Sequence, residues 1–299
     1  PPVAYKNLVI YMFGTGEYVP KGTGIYVMRS ATKLKEIPKT TEGEVSWLYS
    51  HDNPFYPPGH KALVRAWDIE TGKEVWTKDF SELGSGGDDA TICLMNDTLY
   101  YSCFFGYMVK TKGVTAAMDP LTGRVLWQTT QYYATQGCAM SGENGRLYLG
   151  GYNPPDEKAT SCYVHCLNAA DGSLIWRSEP VTKAINVSTV GRDFIVAYAY
   201  GGDTFVIDKK TGKIWHKFND KYACTRFTLS GPYLLGTNVD MIDVSSGNKL
   251  VSTGPALDPR ECVGASVSNG RIYYTGQASG LQLCATYGSE AAAQGSPWK

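Results

Sequence analysis

The sequence lacks an excess of charge of either sign: 28 basic residues face 28 acidic ones, with no run of one kind. It therefore offers no electrostatic footprint for nucleic acid or for an anionic membrane surface. No stretch approaches the roughly 18 apolar residues that a spanning helix needs, which argues against membrane insertion. Windows rich in Ala, Leu, Glu and Lys, from which long helices are built, are missing as well. So is a charged-then-apolar leader, and the opening "PPVAYKNLVIYMF" reads as a processed or excised end. There are only four His, and no Gly-x-Ser-x-Gly elbow, phosphate loop or His-Glu-x-x-His helix.

What is abundant is turn and strand material: 33 Gly and 21 Tyr among 299 residues, 43% of them hydrophobic. A chain of that length and composition buries a large core, as one big β domain or two smaller ones. The eight Cys match no zinc spacing. Cys162 and Cys166 in "SCYVHC" share a strand face about 13 Å apart at 3.3 Å per residue, too far to bridge. Cys93 and Cys103 flank the turn "NDT", where either a cross-strand disulfide or two buried thiols would fit.

Period-2 patterning divides the chain into repeats of four strands. The clearest runs "ATICLM", turn "ND", "TLYYSCFF", a loop, "VTAAMD", turn "PLTG" and "RVLWQTT". The next runs "GCAMSG", "EN", "GRLYLGG", a loop, "YVHCLN", "AADG" and "SLIWRS", and three further units follow the same order. The turn glycines Gly72, Gly123, Gly172, Gly212 and Gly247 recur at intervals of about 35 to 50 residues, as expected of four-stranded propeller blades. Asp68, Asp119, Asn168 and Asp208 open these turns, where a side-chain oxygen accepts backbone N–H bonds, and the Gly four residues on supplies positive φ. Trp76, Trp127, Trp176 and Trp215 follow, each expected to pack a large apolar face against the adjacent blade, with its indole N–H in need of one acceptor. The predicted architecture is a single all-β domain over 1–299, a β-propeller with six visible four-stranded units.

The pattern Ala-x-Asp-x-x-Thr-Gly-x-x-x-Trp, at Ala66 to Trp76 and again at Ala117 to Trp127, resembles the tryptophan-docking repeat of the quinoprotein-type, PQQ-like β-propellers. Recognisable units cover residues 63 to about 290. The family includes pyrroloquinoline-quinone alcohol dehydrogenases and non-enzymatic relatives such as the outer-membrane assembly lipoprotein scaffold. It usually closes with eight blades, so either the chain forms a compact six-bladed ring or its other blades lie elsewhere in a larger protein. The resemblance implies an extracytoplasmic location, periplasmic or secreted, and the eight Cys agree with it. It specifies the fold and leaves the activity open.

In such blades the first and third turns lie on one face, and here they are short. The long insertions fall on the other face: 78–89, 104–113, 128–137, 151–161 and, largest, 14–62 between the second and third strands of the first unit. Long aromatic-rich loops point to function. On this face Phe55, Tyr56, Tyr107, Tyr132, Tyr133 and Tyr152 suit stacking on a sugar or burying a peptide, and Arg226 could add a charge. His51, Asp52 and His60 in "SHDNPFYPPGH" are candidate metal ligands, although their spacing fits no known frame. Asp88 and Asp89 enter an innermost strand where paired carboxylates could hold calcium or cap a turn. Cys138, Cys224 and Cys262 fall near the starts of inner strands.

A quinoprotein dehydrogenase of this family would bring pyrroloquinoline quinone and calcium. Its members generally carry a disulfide between adjacent cysteines, and this sequence has no Cys-Cys pair. The favoured expectation is a non-enzymatic exported module that engages a glycan, peptide or partner protein on the long-loop face, alone or within a larger protein. The alternatives are a quinoprotein dehydrogenase or its fragment, and a propeller polysaccharide lyase or hydrolase built from Tyr, His and Arg.

Overall fold

The computed structural model describes residues 2–13, 62–84, 90–105, 112–134, 140–152, 162–181, 185–199, 203–218, 228–235, 241–251, 266–268, 271–275 and 282–286. The fold is all-β, with no helix among these residues, and its sheets are the antiparallel blades of a β-propeller. The chain divides into two compact units, Pro1–Arg177 and Ser178–Lys299.

The first unit holds three four-stranded sheets, each in chain order. They are β1 (Val3–Tyr5), β2 (Leu8–Phe13), β3 (Leu63–Asp68) and β4 (Glu74–Asp79); then β5 (Ala90–Met95), β6 (Thr98–Phe105), β7 (Lys112–Met118) and β8 (Val125–Thr129); then β9 (Met140–Glu143), β10 (Arg146–Tyr152), β11 (Cys162–Asn168) and β12 (Leu174–Arg177). Strand β2 pairs with β3, from Leu8 opposite Asp68 to Phe13 opposite Leu63, although residues 14–62 intervene. Their hydrophobic patterns match in register, and loop-closure entropy grows only slowly with length.

Tight turns join the first two strands of each blade. Asn96 and Asp97 both have positive φ, as do Asn144 and Gly145, the geometry whose twist suits a two-residue hairpin. The turn before each fourth strand is also a repeated device. Gly72, Gly123 and Gly172 have φ between +66° and +75°, and each donates its N–H to the carbonyl of Asp68, Asp119 or Asn168. In the first of these turns Asp68 Oδ1 also accepts the backbone N–H and the hydroxyl of Thr71 at 2.7 and 2.8 Å.

Alternation along the strands buries both faces of the middle blade. Tyr101, Ala116 and Met118 join Ile10, Val64 and Ala66 of the first blade in one core, while Tyr100 and Ala117 join Leu147, Leu149 and Leu167 of the third in another. Trp76 and Trp127 lie across the two blade junctions of this unit. Trp76 Nε1 donates to the Pro120 carbonyl at 3.1 Å, and Trp127 Nε1 to the Ala169 carbonyl at 2.9 Å. Tyr100 supports the second junction, its hydroxyl donating to the same Ala169 carbonyl at 3.2 Å. Trp176 is buried, its ring tilted against Tyr148.

The second unit holds a four-stranded sheet of β13 (Ile185–Val190), β14 (Phe194–Ala199), β15 (Thr204–Asp208) and β16 (Ile214–Phe218), and a second of β17 (Thr228–Ser230), β18 (Tyr233–Leu235), β19 (Met241–Asp243) and β20 (Lys249–Val251). A three-stranded sheet of β21 (Ser266–Ser268), β22 (Arg271–Thr275) and β23 (Gln282–Thr286) follows. Val196, Val206 and Phe218 pack against Leu234, Ile242 and Val244 to form the core between its first two sheets.

One expectation needs correction. Trp215 does not take the position of the other three Trp: it is 43% exposed, with its ring tilted against Phe194. The interval from the turn glycine to the Trp is one residue shorter here than in the first three units. Trp76, Trp127 and Trp176 pair with Ala66, Ala117 and Cys166, and the matching partner of Val206 is His216. His216 accordingly makes the junction, its Nε2 donating to the Ser245 carbonyl at 3.0 Å. Trp215 occupies instead a β-bulge that every four-residue-turn blade repeats, at Val75, Leu126, Ile175, Trp215 and Leu250. All five side chains are between 43 and 50% exposed. Bulges on outer strands break the ladder that another chain would otherwise extend.

The alternative left open for Cys93 and Cys103 resolves to free thiols: neither is in a disulfide, nor is Cys166. Cys93 lies opposite Tyr100 and Cys103 opposite Ala90, and the two side chains join different cores on opposite faces of the sheet. No side-chain rotation brings such a pair together.

Candidate functional site

The described part of the long-loop face is built around the connection that leaves β8 at Thr129 and runs to Ala134. Four contacts seat it. The Ala134 N–H donates to Ser102 Oγ at 2.8 Å, and that oxygen also meets Thr115 Oγ1 at 2.9 Å. The Tyr133 ring covers Gly113, where a Cβ would fall 2.4 Å from it. The Tyr133 carbonyl oxygen closes over Gly151, 2.8 Å from where a Cβ would stand. Finally the Tyr132 ring tilts against His165, centroid to centroid 5.0 Å.

Tyr132 and Tyr133 therefore divide their labour. Tyr133, 3% exposed, is an anchor whose ring needs glycine beneath it, and Tyr132 is half-buried and keeps one side toward solvent. Behind Tyr132 a layer of aromatic and cationic groups continues across the third blade. Tyr163 lies two residues before His165 on the same strand face, and the Arg177 guanidinium stacks on its ring at 4.4 Å. Arg177 is exposed and pairs with His165 across β11 and β12. A guanidinium stacked on an aromatic ring is oriented and weakly hydrated, suited to a carboxylate or to a further ring.

The electrostatics of the blade interior are those of a dry core. Burial, and after it the Arg177 charge, pushes His165 down to about 3. Burial raises the Cys93 and Cys166 thiols to about 12, so neither is a nucleophile at neutral pH. Among the described residues no group of three or more His, Cys, Asp or Glu could hold a metal ion. Phe55, Tyr56, Tyr107, Arg226, Asp88, Asp89, His51, Asp52 and His60 lie outside the described residues, as do Cys138, Cys224 and Cys262. Tyr152 ends β10, with its side chain outside the described set. Among the earlier candidates, then, the structure brings Tyr132 and Tyr133 together on one connection. It adds Tyr163, His165 and Arg177, which sequence reasoning missed; the Tyr-x-His alternation in "YVHC" was the signal for the first two.

A family model described as outer membrane protein assembly factor BamB matches residues 34–150 and, overlapping them, 60–256. The chain belongs to this family of PQQ-like β-propeller repeats. Outer membrane protein assembly factor BamB of Yersinia pestis is 26% identical over 148 residues, which cover 46% of this chain and 35% of that protein. The chain thus matches about a third of the length of that curated relative. The crystal structure of BamB from Moraxella catarrhalis is similar with a TM-score of 0.49 at 15% identity, covering 77% of this chain and 79% of that one. The computationally designed protein Ika8 has a TM-score of 0.45 at 11% identity, with 91% of each chain covered.

Proposed function

We propose that the chain is a non-enzymatic scaffold module of outer-membrane protein assembly, acting outside the cytoplasm and engaging a partner protein on its long-loop face. The observation that carries this reading is the family match, which runs across consecutive blades and belongs to a family described as an assembly factor. The geometry agrees with a docking role. Tyr132 is held rigidly by the anchored connection beneath it, and the Tyr163–Arg177 stack lies behind it. Preorganised aromatic and Arg side chains contribute most per residue to protein interfaces, because little side-chain entropy is lost on binding. Phe55, Tyr56, Tyr107, Tyr152 and Arg226 would extend the same surface, and the chain would act as one propeller domain or as part of one.

Site-specific photo-crosslinking tests the reading. A benzophenone amino acid at position 132 should give an adduct with an outer-membrane assembly protein in cells. The same group at Val75, on the outer edge of the first blade, should not. Equal adducts from both positions, or adducts at 132 only with unrelated proteins, count against it.

A further inference from the structure

His165 is fully buried in the middle of β11, and among the described residues neither of its ring nitrogens has a hydrogen-bond partner. Buried polar groups are nearly always satisfied, so an imidazole that leaves both nitrogens unused is a marked exception. Its surroundings explain how it is tolerated and what would dislodge it. The Tyr132 ring lies against one side, and the Tyr163 ring is 6.2 Å away on the same strand. Leu149 and Gly151 of β10 close the next side, and a Cβ at Gly151 would stand 3.3 Å from His165 Nδ1. From β12 the facing group is Arg177. The ionisable neighbours are thus the phenols of Tyr132 and Tyr163 and the guanidinium of Arg177, with no carboxylate beside His165 among the described residues.

Neutral His165 serves as a flat, nearly apolar support for Tyr132. Protonated His165 would carry two N–H donors with no acceptor and a positive charge next to Arg177, a state that a dry site does not sustain. We propose that His165 is an acid-released latch: neutral, it seats Tyr132 and the 131–134 connection on the third blade, and on protonation it lets that connection lift. Tyr132 is half-buried and lies on the His165 ring, so raising it admits water to the imidazole. The latch stands whether or not the long-loop face binds a partner.

Proton linkage fixes the sign and size of the effect. The closed form holds the imidazole neutral down to about 3, whereas an opened, hydrated imidazole titrates at its ordinary value of about 6.5. Closure therefore loses ground as pH falls through about 6.5, and the loss levels off only near 3. The open fraction should rise about 10-fold between pH 7.5 and 5.5 and about 100-fold by pH 4.5.

Amide hydrogen exchange on the full chain, corrected for the intrinsic pH dependence of exchange, reads this directly. In the native sequence, segments 130–134 and 162–166 should lose protection by those factors while the Trp76–Pro120 junction does not. In His165→Phe, which keeps a flat ring, protection should not change with pH. A native protein whose segments keep their protection, or a variant that loses it in parallel, overturns the proposal. If the variant fails to fold, NMR of the imidazole protons in the native protein decides. A His165 signal that titrates near 6.5 within an unchanged fold overturns the latch; one that stays unshifted until the connection exchanges supports it.

Discussion

The ring of Trp76 lies directly on Gly123 of the following blade, so close that a Cβ on that glycine would stand 2.6 Å from the indole. Gly123 thus meets two demands at once: a positive φ of 68° inside its own turn, and room for a neighbour's side chain. Trp127 and Gly172 repeat the relationship at the next junction. In the second unit, Gly247 meets His216 and Phe218 instead.

Gly72 separates these demands. It has nearly the same φ, 66°, yet a Cβ there would meet nothing within 4 Å. Gly72→Ala should therefore carry only the left-handed backbone penalty of about 1–2 kcal/mol. Gly123→Ala should add an overpacking term of about 1–3 kcal/mol. Urea unfolding of the two variants checks this, and equal midpoints would show that the indole yields freely.

Trp76 and Trp215 should differ as sharply. Removing the buried Trp76 ring with Trp76→Ala deletes a blade-junction contact and a hydrogen bond to Pro120, for a loss of about 3–5 kcal/mol. Trp76→Phe keeps most of the area and loses the donor, at about 1–2 kcal/mol with the Pro120 carbonyl left short of a partner. Trp215→Ser, on the exposed bulge, should change stability by less than about 1 kcal/mol, since the tilted contact with Phe194 is its main packing. Thermal melts of the three variants rank them.

The contrast between these Trp marks how far the sequence could be read. The Asp, Gly and Trp of each turn are local signals, set by residues within one hairpin, and they identified the blades and the first junctions. The count from Gly212 to Trp215 was equally visible and gave the wrong residue, because the similarity of "KIW" to "EVW" outweighed the missing position. The register rule, that the junction residue pairs with the one two before the turn Asp, points to His216 from sequence alone. The seating of Tyr132 and Tyr133 could not be read in this way. It depends on Gly113, Ser102, Gly151 and His165, which come from four different strands of two blades and carry no common spacing. The same holds for His165: its alternation announces a strand, and only the arrival of Tyr132 from another blade leaves its nitrogens without partners.

The Asp turns give the fold a dependence on acid. The Thr71 hydroxyl, followed by the Thr71 backbone N–H, holds the Asp68 carboxyl below its usual value of 3.8, and Ser245 does the same for Asp243. A carboxyl depressed in the folded state stabilises the fold above its unfolded pKa, and that contribution is lost as pH falls below 3.8 through the folded values. Asp68→Asn keeps the acceptor and should leave stability at pH 7 nearly unchanged while flattening this acid limb. Asp68→Ala removes the acceptor and should lose stability at neutral pH as well. Denaturant titrations at pH 7 and pH 3 separate the two substitutions. A limb equally steep in Asp68→Asn would assign the acid sensitivity to other groups.

Gly113 is the last test, and it bears on how the candidate binding face is held. Glycine inside a strand is ordinarily a weakness, and replacing it with alanine should help by lowering the entropy of the unfolded chain. Here the opposite is expected, because a Cβ would stand 2.4 Å from the Tyr133 ring and 2.7 Å from the Cys103 carbonyl oxygen. The ring can swing away, but the carbonyl belongs to the paired strand β6 and cannot follow. Gly113→Ala should therefore destabilise by about 1–3 kcal/mol. Tyr133→Ala empties the space above the glycine and, as the loss of a buried aromatic, should itself cost about 3–5 kcal/mol. In the double variant the ring clash is gone while the carbonyl clash remains, so the combined loss should fall short of the sum by part of the Gly113→Ala effect. Full additivity would mean that Tyr133 had already moved aside, and that Tyr132 owes its position to His165 alone.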